Sequence, residues 1–404
     1  MLKNISCRIY TGLKWFLFLI GLLAVVLYIT IRSWSHFGKR DPIIRPFLST
    51  FSEENLRYNF TLPKEKGDFI VKIESSTPQT MPQTYFKRAM IKAFPEYNIV
   101  YTTDIYSSPH MIFRGINPSK WHLREFYNLV PYFISNIEPD HFTEAEHRVT
   151  GRPFMVANDH IQYPYDNTHE FIPLAGQSYS DISGDLYNHQ TNHGRYKNIR
   201  ARGIAYINSA CHPHRDKMFF LLKERLPGQV HALGKCPLNY KKDRIDIPPR
   251  ADGYDKLTST YENYNFVFAM ENAKVHGYIS EKILNSYYGG AIPIYWGESQ
   301  MARRFFNPES YIDIDSFNSF EEAADYIASV YKSKEATEKY LNAPMFLDND
   351  KIDPYLRLEE ERITPEVEKI IDAFAKRLRT LYFEDIAKRK NYRNLYPDTR
   401  LGSG

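Results

Sequence analysis

The sequence predicts an α/β protein in which two Rossmann-like halves follow an apolar N-terminal segment. Short apolar runs alternate with helical patterns in two separate series, and this alternation is typical of βαβ units around a mainly parallel sheet. The chain has 404 residues, which is enough for two domains of about 100–200 residues each plus further segments. The uncharged run Trp15–Ile31 has nearly the length of a membrane span.

The composition is that of an ordinary globular protein, with 43% hydrophobic and 25% charged residues. It excludes collagen-like, low-complexity and largely disordered chains. The formal net charge of +4 is too small for a surface that binds nucleic acid over its whole extent, so any anion site must be local. The 3 cysteines include no CxxC pair, which excludes a disulfide scaffold and a zinc or redox motif of that type.

The N-terminal segment is interpreted as a membrane anchor. Residues 1–12 form a cytosolic tail, 13–31 a transmembrane signal-anchor, and 32–66 a proline-interrupted stem. A cleaved signal peptide is the alternative, but the run is longer than a usual apolar region and no small-x-small cleavage pattern follows it. A buried core helix is a weaker alternative. Basic residues lie on both sides, so the positive-inside rule leaves the orientation open.

The two halves are predicted from their apolar runs. The first, residues 67–200, has strands at 69–73, 98–101, 110–116, 132–134, 153–157 and 170–174, and a helix at 83–94. The second, residues 201–345, has strands at 203–207, 229–233, 265–270, 291–296 and 311–314, and helices at 215–225, 281–288 and 320–331. Pro293 falls inside one of these strands, which favours a position toward a sheet edge.

Residues 346–404 are predicted to be a C-terminal helical segment. Thr364 and Pro365 are a cap residue followed by a first-turn proline. Apolar residues then recur at three- and four-residue steps from Val367 to Ile386. This apolar face predicts that the helix packs against a domain.

Polar residues follow a predicted strand that ends at Met270. Glu271 and Asn272 come directly after it, and Tyr278 precedes a helix that Ser280 would cap. Ligands of open α/β sheets bind beyond the carboxyl ends of the strands, so these side chains are placed at the binding edge.

The next helix begins with an acidic residue followed by a basic one. A glutamate in a first turn is favoured by the helix dipole, so Glu281 is as readily structural as functional. A cation there is unfavourable unless an anion lies between it and the helix terminus. Lys282 therefore predicts a bound phosphate or diphosphate.

A second polar loop follows the strand that ends at Ile207. It leads through Pro213 to Arg215, whose guanidinium can bind two oxygens of one anion. The loop has no glycine, which excludes a GxGxxG or Walker motif. Taken alone, Arg215 could equally form a salt bridge; facing Lys282 across a diphosphate, it becomes a ligand. His212 and His214 are interpreted as loop or capping residues.

Together these residues resemble the α1,3/α1,4-fucosyltransferases, glycosyltransferase family 10. The similarity lies in Glu271-Asn272, Tyr278, Ser280-Glu281-Lys282 and the run Ile292–Gly297. It continues in 306–312 and 315–317, and upstream in 208–211 with Arg215, where one residue is inserted, and in 231–236. It is clear from about residue 203 to about residue 331 and weak in the first half.

The resemblance implies a GT-B fold whose second half binds GDP-fucose and whose first half holds the acceptor. By this resemblance Arg215 and Lys282 would bind the diphosphate and Glu281 the ribose hydroxyls. Asn272 and Tyr278 would bind the donor, and Glu271 would lie near the fucose. The same resemblance implies that the donor would be GDP-fucose, that no cofactor would be essential, and that a divalent metal would at most be stimulatory.

The implied reaction is inverting transfer of L-fucose to a hydroxyl of a glycan or glycoprotein, O3 or O4 of GlcNAc. A single displacement needs a carboxylate that takes the proton from the attacking hydroxyl. Glu138 fits the family's glutamate best, although it directly precedes Pro139, where family members have one or more residues between. Asp159 is the second candidate, and an ordinary loop glutamate is the alternative for Glu138.

Two other enzyme or binding classes stay open at this stage. One is a GT-B transferase that uses another nucleotide sugar. The other is a catalytically inactive, membrane-anchored glycan-binding protein. Asp313-Ile314-Asp315 also resembles the Asp-x-Asp pattern with which sugar transferases bind Mn²⁺. The pair alternates with apolar residues at a strand end, which favours a structural role, and no metal site is predicted.

The remaining predictions concern the compartment. Cys211 and Cys236 lie just beyond neighbouring predicted strands, where their α-carbons could come within about 6 Å, and an oxidising lumen would join them. Asn59, in Asn59-Phe60-Thr61, is a glycosylation candidate. With the anchor, these features predict a single-pass type II protein of the Golgi membrane whose catalytic domain is lumenal. The oligomeric state stays open.

Overall fold

A computed structural model describes residues 61–74, 82–104, 107–114, 130–135, 154–158, 169–173, 199–238, 240, 257, 260–347 and 352–395. The predicted transmembrane segment, the glycosylation candidate Asn59 and the two candidate bases Glu138 and Asp159 lie outside these residues. Among the helices that are described, none is both long and apolar enough to cross a membrane.

The first sheet has six strands, all parallel. They are β1 (Asp68–Glu74), β2 (Asn98–Thr102), β3 (Met111–Arg114), β4 (Tyr132–Ser135), β5 (Met155–Asn158) and β6 (His169–Phe171), in the order β2-β1-β3-β4-β5-β6. Helix α1 (Thr84–Ala93) follows β1. One face of the sheet contributes Phe69, Val71, Phe113 and Phe133 to a core that also includes Phe86 of α1.

The second sheet has five parallel strands in the order β11-β10-β9-β7-β8. They are β7 (Arg202–Tyr206), β8 (Val230–Ala232), β9 (Tyr264–Met270), β10 (Ile292–Trp296) and β11 (Ile312–Asp313). The helices of this half are α2 (Pro213–Arg225), α3 (Lys282–Tyr288), α4 (Ser299–Phe305), α5 (Phe320–Lys332) and α6 (Lys334–Asn342). Every residue of β9 is buried, as expected for a parallel strand covered on both faces.

Several details differ from the sequence prediction. The strand predicted over 311–314 is only two residues long, because the backbone turns into a 3₁₀ helix at Ile314–Ser316. Ser280 is not the cap of the next helix: α3 begins at Lys282 and Glu281 occupies the cap position. Helix α4 has no counterpart in the prediction. Pro293 is tolerated because β11 pairs only with Ile294 and Tyr295, beyond the proline.

The strand order of the second sheet reverses between β7 and β9. The chain passes from β7 to β8 on one side, whereas β9, β10 and β11 extend on the other side. In open parallel sheets such a reversal leaves a crevice beyond the carboxyl ends of the two strands, where ligands bind. The loops after β7 and β9 are therefore where the fold provides a binding site.

The C-terminal helix α7 (Pro365–Leu395) returns to the first half of the chain. Its apolar residues Val367, Phe374, Leu378 and Tyr382 lie in the same core as β1 and α1, so the predicted packing of this helix against a domain is confirmed. Thr364 accepts a hydrogen bond from the Val367 amide at 3.4 Å, in keeping with its predicted place at the helix start.

Two side chains connect the segment before α7 with the two halves. The Glu359 carboxylate accepts hydrogen bonds from the backbone amides of Thr84 and Tyr85 at 2.8 and 2.9 Å, and so caps α1 from 274 or more residues away. Arg304 of α4 bonds Asp353 at 2.7 Å, and its guanidinium lies over the rings of Phe171 and Tyr355. These contacts tie the second half to the first.

A disulfide joins Cys211 to Cys236, with their α-carbons 5.2 Å apart and a sequence separation of 25 positions. It links the loop after β7 with the loop after β8, next to the reversal point of the sheet. A crosslink of this loop length restricts the unfolded chain and stabilises the fold by about 3 kcal/mol in the chain-entropy model.

Replacing both Cys211 and Cys236 with serine should therefore lower the free energy of unfolding by about 3 kcal/mol. Urea denaturation of the two proteins under non-reducing conditions measures this difference. Adding a reductant should bring the wild-type midpoint to that of the double variant. Equal midpoints without reductant would show that the two thiols are not joined.

Candidate functional site

The guanidinium of Arg215 crosses the reversal point between β7 and β9. It projects from the first turn of α2, and its Nε and Nη2 donate to the carbonyl oxygen of Met270, the last residue of β9, at 2.9 and 2.5 Å. Nη2 also donates to Oδ1 of Asn272 at 2.8 Å, and Nη1 to the carbonyl of Ala210 at 3.2 Å. Arg215 is only 1% exposed, so this cation serves to fix the loop after β9.

Glu271 is the first residue after β9 and is completely buried. Its Oε1 accepts a hydrogen bond from the backbone amide of Ser280 at 2.8 Å, and its Oε2 accepts one from the Ser280 hydroxyl at 2.6 Å. The Lys282 ammonium lies 3.2 Å from the same Oε2. The Glu271 amide donates to the carbonyl of Trp296 at 2.8 Å, which ties the ends of β9 and β10 together.

Lys282 stands at the first position of α3 and is half-buried. Its Nζ donates to the Ser280 hydroxyl at 2.8 Å and lies 3.9 Å from a carboxylate oxygen of Glu281. The exposed fraction of its side chain is 19%, against 0% for Glu271. Buried groups of the protein thus bind the ammonium on one side, while part of the lysine side chain is accessible to solvent.

The six predicted donor-binding residues therefore fall into two groups. Arg215, Glu271 and Tyr278 are buried. Asn272, Glu281 and Lys282 are partly accessible at the carboxyl edge of the sheet. All six residues lie at or next to the loops after β7 and β9. A ligand can contact the three accessible side chains directly, whereas the three buried side chains pack behind them.

Two histidines, one in the loop after β7 and one in α2, form a cluster with a tryptophan at the end of β10, and no local pattern of residues predicts this cluster. His214 of α2 lies over Trp296 of β10 with ring centroids 4.0 Å apart, and His212 stacks on the other histidine at 5.6 Å. Nε2 of His214 lies 3.0 Å from the carbonyl of Glu271, which can only accept, so this nitrogen carries the proton. Burial lowers the pKa of His214, which favours the neutral ring.

Gly297 creates the space in which the Glu271 carboxylate lies. A β-carbon at this position would lie 2.8 Å from Cγ of Glu271 and 2.6 Å from the Tyr295 hydroxyl, closer than real β-carbons approach such atoms. That hydroxyl is buried and has no hydrogen-bond partner in the described part of the chain. Burial raises the pKa of Tyr295 far above its ordinary value, so the ring stays neutral beside Glu271.

Both carboxylates of the Asp-x-Asp pattern are engaged by protein groups. Asp313 accepts hydrogen bonds from the Ser299 hydroxyl at 2.9 Å and from Arg303 at 3.0 Å, and Asp315 forms an ion pair with Lys274. This arrangement connects α4 and the loop after β9 to β11. Across the described residues, no group of three or more His, Cys, Asp or Glu side chains could hold a metal ion.

Two parallel α/β halves, with a polar site at the strand reversal of the second half, form the arrangement found in the GT-B class of glycosyltransferases. A crystal structure of an α1,3-fucosyltransferase has the same fold: it superposes with a TM-score of 0.52 at 17% sequence identity and covers 81% of this chain and 95% of that one. The second half carries the chemistry-bearing side chains described above.

Comparison with known proteins relates the second half of the chain to one family. Residues 198–349 match the model for glycosyltransferase family 10 (fucosyltransferase), C-terminal part. An α-(1,4)-fucosyltransferase of Arabidopsis thaliana is 31% identical over 147 residues, 34% of this chain and 36% of that protein. The α-(1,3)-fucosyltransferase FucT of Helicobacter pylori is 41% identical over 73 residues, 18% of this chain and 15% of that protein. The chain thus spans well under half the length of these two relatives.

Proposed function

We propose that the chain is an inverting fucosyltransferase that transfers L-fucose from GDP-fucose to a hydroxyl of a glycan or glycoprotein, O3 or O4 of GlcNAc. The observation that carries the proposal is the partly accessible group Asn272, Glu281 and Lys282 at the strand reversal, inside the part of the chain that matches the fucosyltransferase family. A nucleotide sugar needs a cation for its diphosphate and acceptors for its ribose, and this group offers both.

Each accessible side chain has a role in donor binding. The Lys282 ammonium binds the diphosphate as a point charge. The Glu281 carboxylate accepts hydrogen bonds from the ribose hydroxyls, and the Asn272 amide, held by Arg215, contacts the donor. The resemblance predicts that Arg215 and Tyr278 bind the donor directly. Because both side chains are buried, we propose that they hold the accessible residues in place at the same edge of the sheet.

The reaction proceeds by one displacement at the anomeric carbon of the fucose. The acceptor oxygen forms the new bond as the bond to the diphosphate oxygen breaks, and the GDP that leaves takes the electron pair. The negative charge that develops on the diphosphate is stabilised by Lys282 in its partly water-excluded position. The proton of the attacking hydroxyl passes to a carboxylate on the acceptor side, for which Glu138 is the first candidate and Asp159 the second.

Replacing Glu138 with glutamine should lower the transfer rate by about 100-fold or more, because a positioned general base contributes at least that much. The affinity for GDP should stay unchanged, since the substitution is placed in the first half and not at the donor loops. Steady-state transfer kinetics and equilibrium binding of GDP measure the two quantities. Near wild-type transfer would remove Glu138 as the base, and Asp159→Asn would then be the next test.

The proposed activity is tested by incubating the chain with GDP-fucose and a panel of glycans. Release of GDP that depends on the acceptor supports the fucosyltransferase. Glycan binding without turnover would favour the inactive glycan-binding protein, and turnover only with another nucleotide sugar would favour a different GT-B transferase. The Asp313 and Asp315 contacts support a reaction that needs no metal, so activity should persist in excess chelator.

The membrane topology is proposed on the apolar run and the cysteines. Residues 13–31 would anchor a single-pass type II protein in the Golgi membrane with the catalytic domain in the lumen, where disulfides form. A lumenal Asn59 would then carry a glycan. Endoglycosidase treatment should reduce the apparent mass of the full chain but not that of the Asn59→Gln variant. If the chain carries no glycan before treatment, a lumenal location is contradicted.

A further inference from the structure

We propose that Glu271 is a positioning residue that fixes Lys282 for the donor diphosphate from the protein interior, without touching the donor itself. This inference rests on the proposed function and deepens it. The resemblance placed Glu271 near the fucose. In the structure its side chain is 0% exposed, and Ser280 and Lys282 lie against its carboxylate oxygens.

The first step of the argument is the direction of the hydrogen bonds. An ionised carboxylate can only accept, so the single proton of the Ser280 hydroxyl points to Oε2 of Glu271 at 2.6 Å. The Ser280 oxygen has no second proton to donate, so it accepts a hydrogen bond from the Lys282 ammonium at 2.8 Å. The same ammonium lies 3.2 Å from Oε2, so the lysine is fixed at two points of one buried carboxylate–serine unit.

The second step is the cost of the buried charge. A carboxylate with no solvent exposure is strongly unfavourable unless it is paired and hydrogen-bonded. Glu271 receives one cation and two hydrogen bonds, and Gly297 leaves room for it where any β-carbon would lie 2.8 Å from its Cγ. The Tyr295 hydroxyl and the Glu271 side chain both lie next to the position that a β-carbon of residue 297 would occupy. A residue that needs so many partners, yet presents no atom to solvent, acts through the group that it holds.

The third step is what the positioning achieves. A lysine has a long flexible stem, and fixing it at the moment of binding costs conformational entropy. Because Glu271 and Ser280 hold the ammonium before the donor binds, its conformational entropy is already lost during folding. Binding of the diphosphate then loses less entropy and is stronger. The effect should therefore be specific to the phosphates and absent for the nucleoside part of the donor.

The test compares the equilibrium binding of GDP and of guanosine to the full chain. Glu271→Gln keeps the shape and removes the charge, and it should weaken GDP binding at least tenfold while changing guanosine binding less than twofold. Glu335→Gln, an exposed glutamate on α6, is the matched control and should leave both affinities at the wild-type value. Combined with Lys282→Met, Glu271→Gln should add less than twofold to the effect of Lys282→Met alone, because it acts through that lysine.

Two further variants keep the test valid if Glu271→Gln does not fold. Ser280→Ala retains the buried carboxylate and the ammonium, and Glu271→Asp retains the charge on a shorter stem. Each should weaken GDP binding about threefold or more with guanosine unchanged. Equal losses for GDP and guanosine, or additive losses with Lys282→Met, would overturn the inference. A wild-type chain that binds GDP with all variants equal to it would overturn this inference alone, whereas a wild-type chain that does not bind GDP would overturn the proposed function itself.

Discussion

Lys282→Ala should lower the rate of fucose transfer by about 1,000-fold. The ammonium is a partly accessible cation at the strand reversal, 2.8 Å from the Ser280 hydroxyl and 3.2 Å from the buried carboxylate of Glu271. A fixed donor group aimed at developing charge is worth about 10²–10³ in rate, and removal of a full positive charge lies at the upper end of that range. In the proposed reaction, negative charge develops on the diphosphate as GDP leaves.

Steady-state kinetics with GDP-fucose and an accepted glycan measure this loss. The loss should fall mainly on kcat, because the charge on the diphosphate is larger in the transition state than in the bound donor. Lys334→Ala is the matched control: the Lys334 side chain is 78% exposed on α6 and pairs only with a surface glutamate among the described residues. The control should retain full activity. A loss of less than tenfold in Lys282→Ala would exclude the lysine as the group that stabilises the leaving diphosphate.

Arg215→Ala should lower the free energy of unfolding by about 4 kcal/mol. The guanidinium donates to the carbonyls of Met270 and Ala210 and to the side chain of Asn272, and it is 1% exposed. Its removal takes two donors from the buried carbonyl of Met270, and it leaves a cavity where α2 meets the end of β9. The Asn272 side chain would also lose the bond that orients it.

Urea denaturation measures the change in stability, and GDP binding at a temperature where the variant is folded measures the effect on Asn272. Arg215→Lys should recover less than half of the stability, because an ammonium cannot reproduce the planar set of donors that reaches three acceptors. Arg362→Ala, an exposed arginine before α7, is the control and should change the free energy of unfolding by less than about 0.5 kcal/mol. An unfolding midpoint of Arg215→Ala equal to that of the control would contradict the role given to this residue.

The two predictions separate the two groups of site residues. Substitution of the accessible Lys282 should change catalysis most, and it should also lower the free energy of unfolding, because it leaves the buried Glu271 carboxylate without this cation. Substitution of the buried Arg215 should change the free energy of unfolding most, because the loop after β9 depends on its hydrogen bonds. Glu271 stands between the two groups, since it is buried but acts on Lys282.

The fold was predictable where the chemistry is local. Parallel strands covered on both faces form continuous apolar runs, and most of the strands of both sheets were recognised in this way. Helix α7 was recognised from its cap, its proline and its apolar period. The two-residue strand β11 was overestimated, since its apolar alternation continues into a 3₁₀ turn that period alone does not distinguish.

The site residues were recognisable as a set, because the polar residues that follow β7 and β9 must meet at one edge of a parallel sheet. The positions of these residues after the strands are therefore sufficient to predict which side chains assemble and that a cation lies among them. Which of these side chains face outward depends on tertiary packing. Burial of Glu271 depends on the missing β-carbon of Gly297, 26 positions later, and that of Arg215 depends on its fit against the end of β9. Solvent exposure is a property of packed neighbours from distant parts of the chain, and no local pattern of residues encodes it.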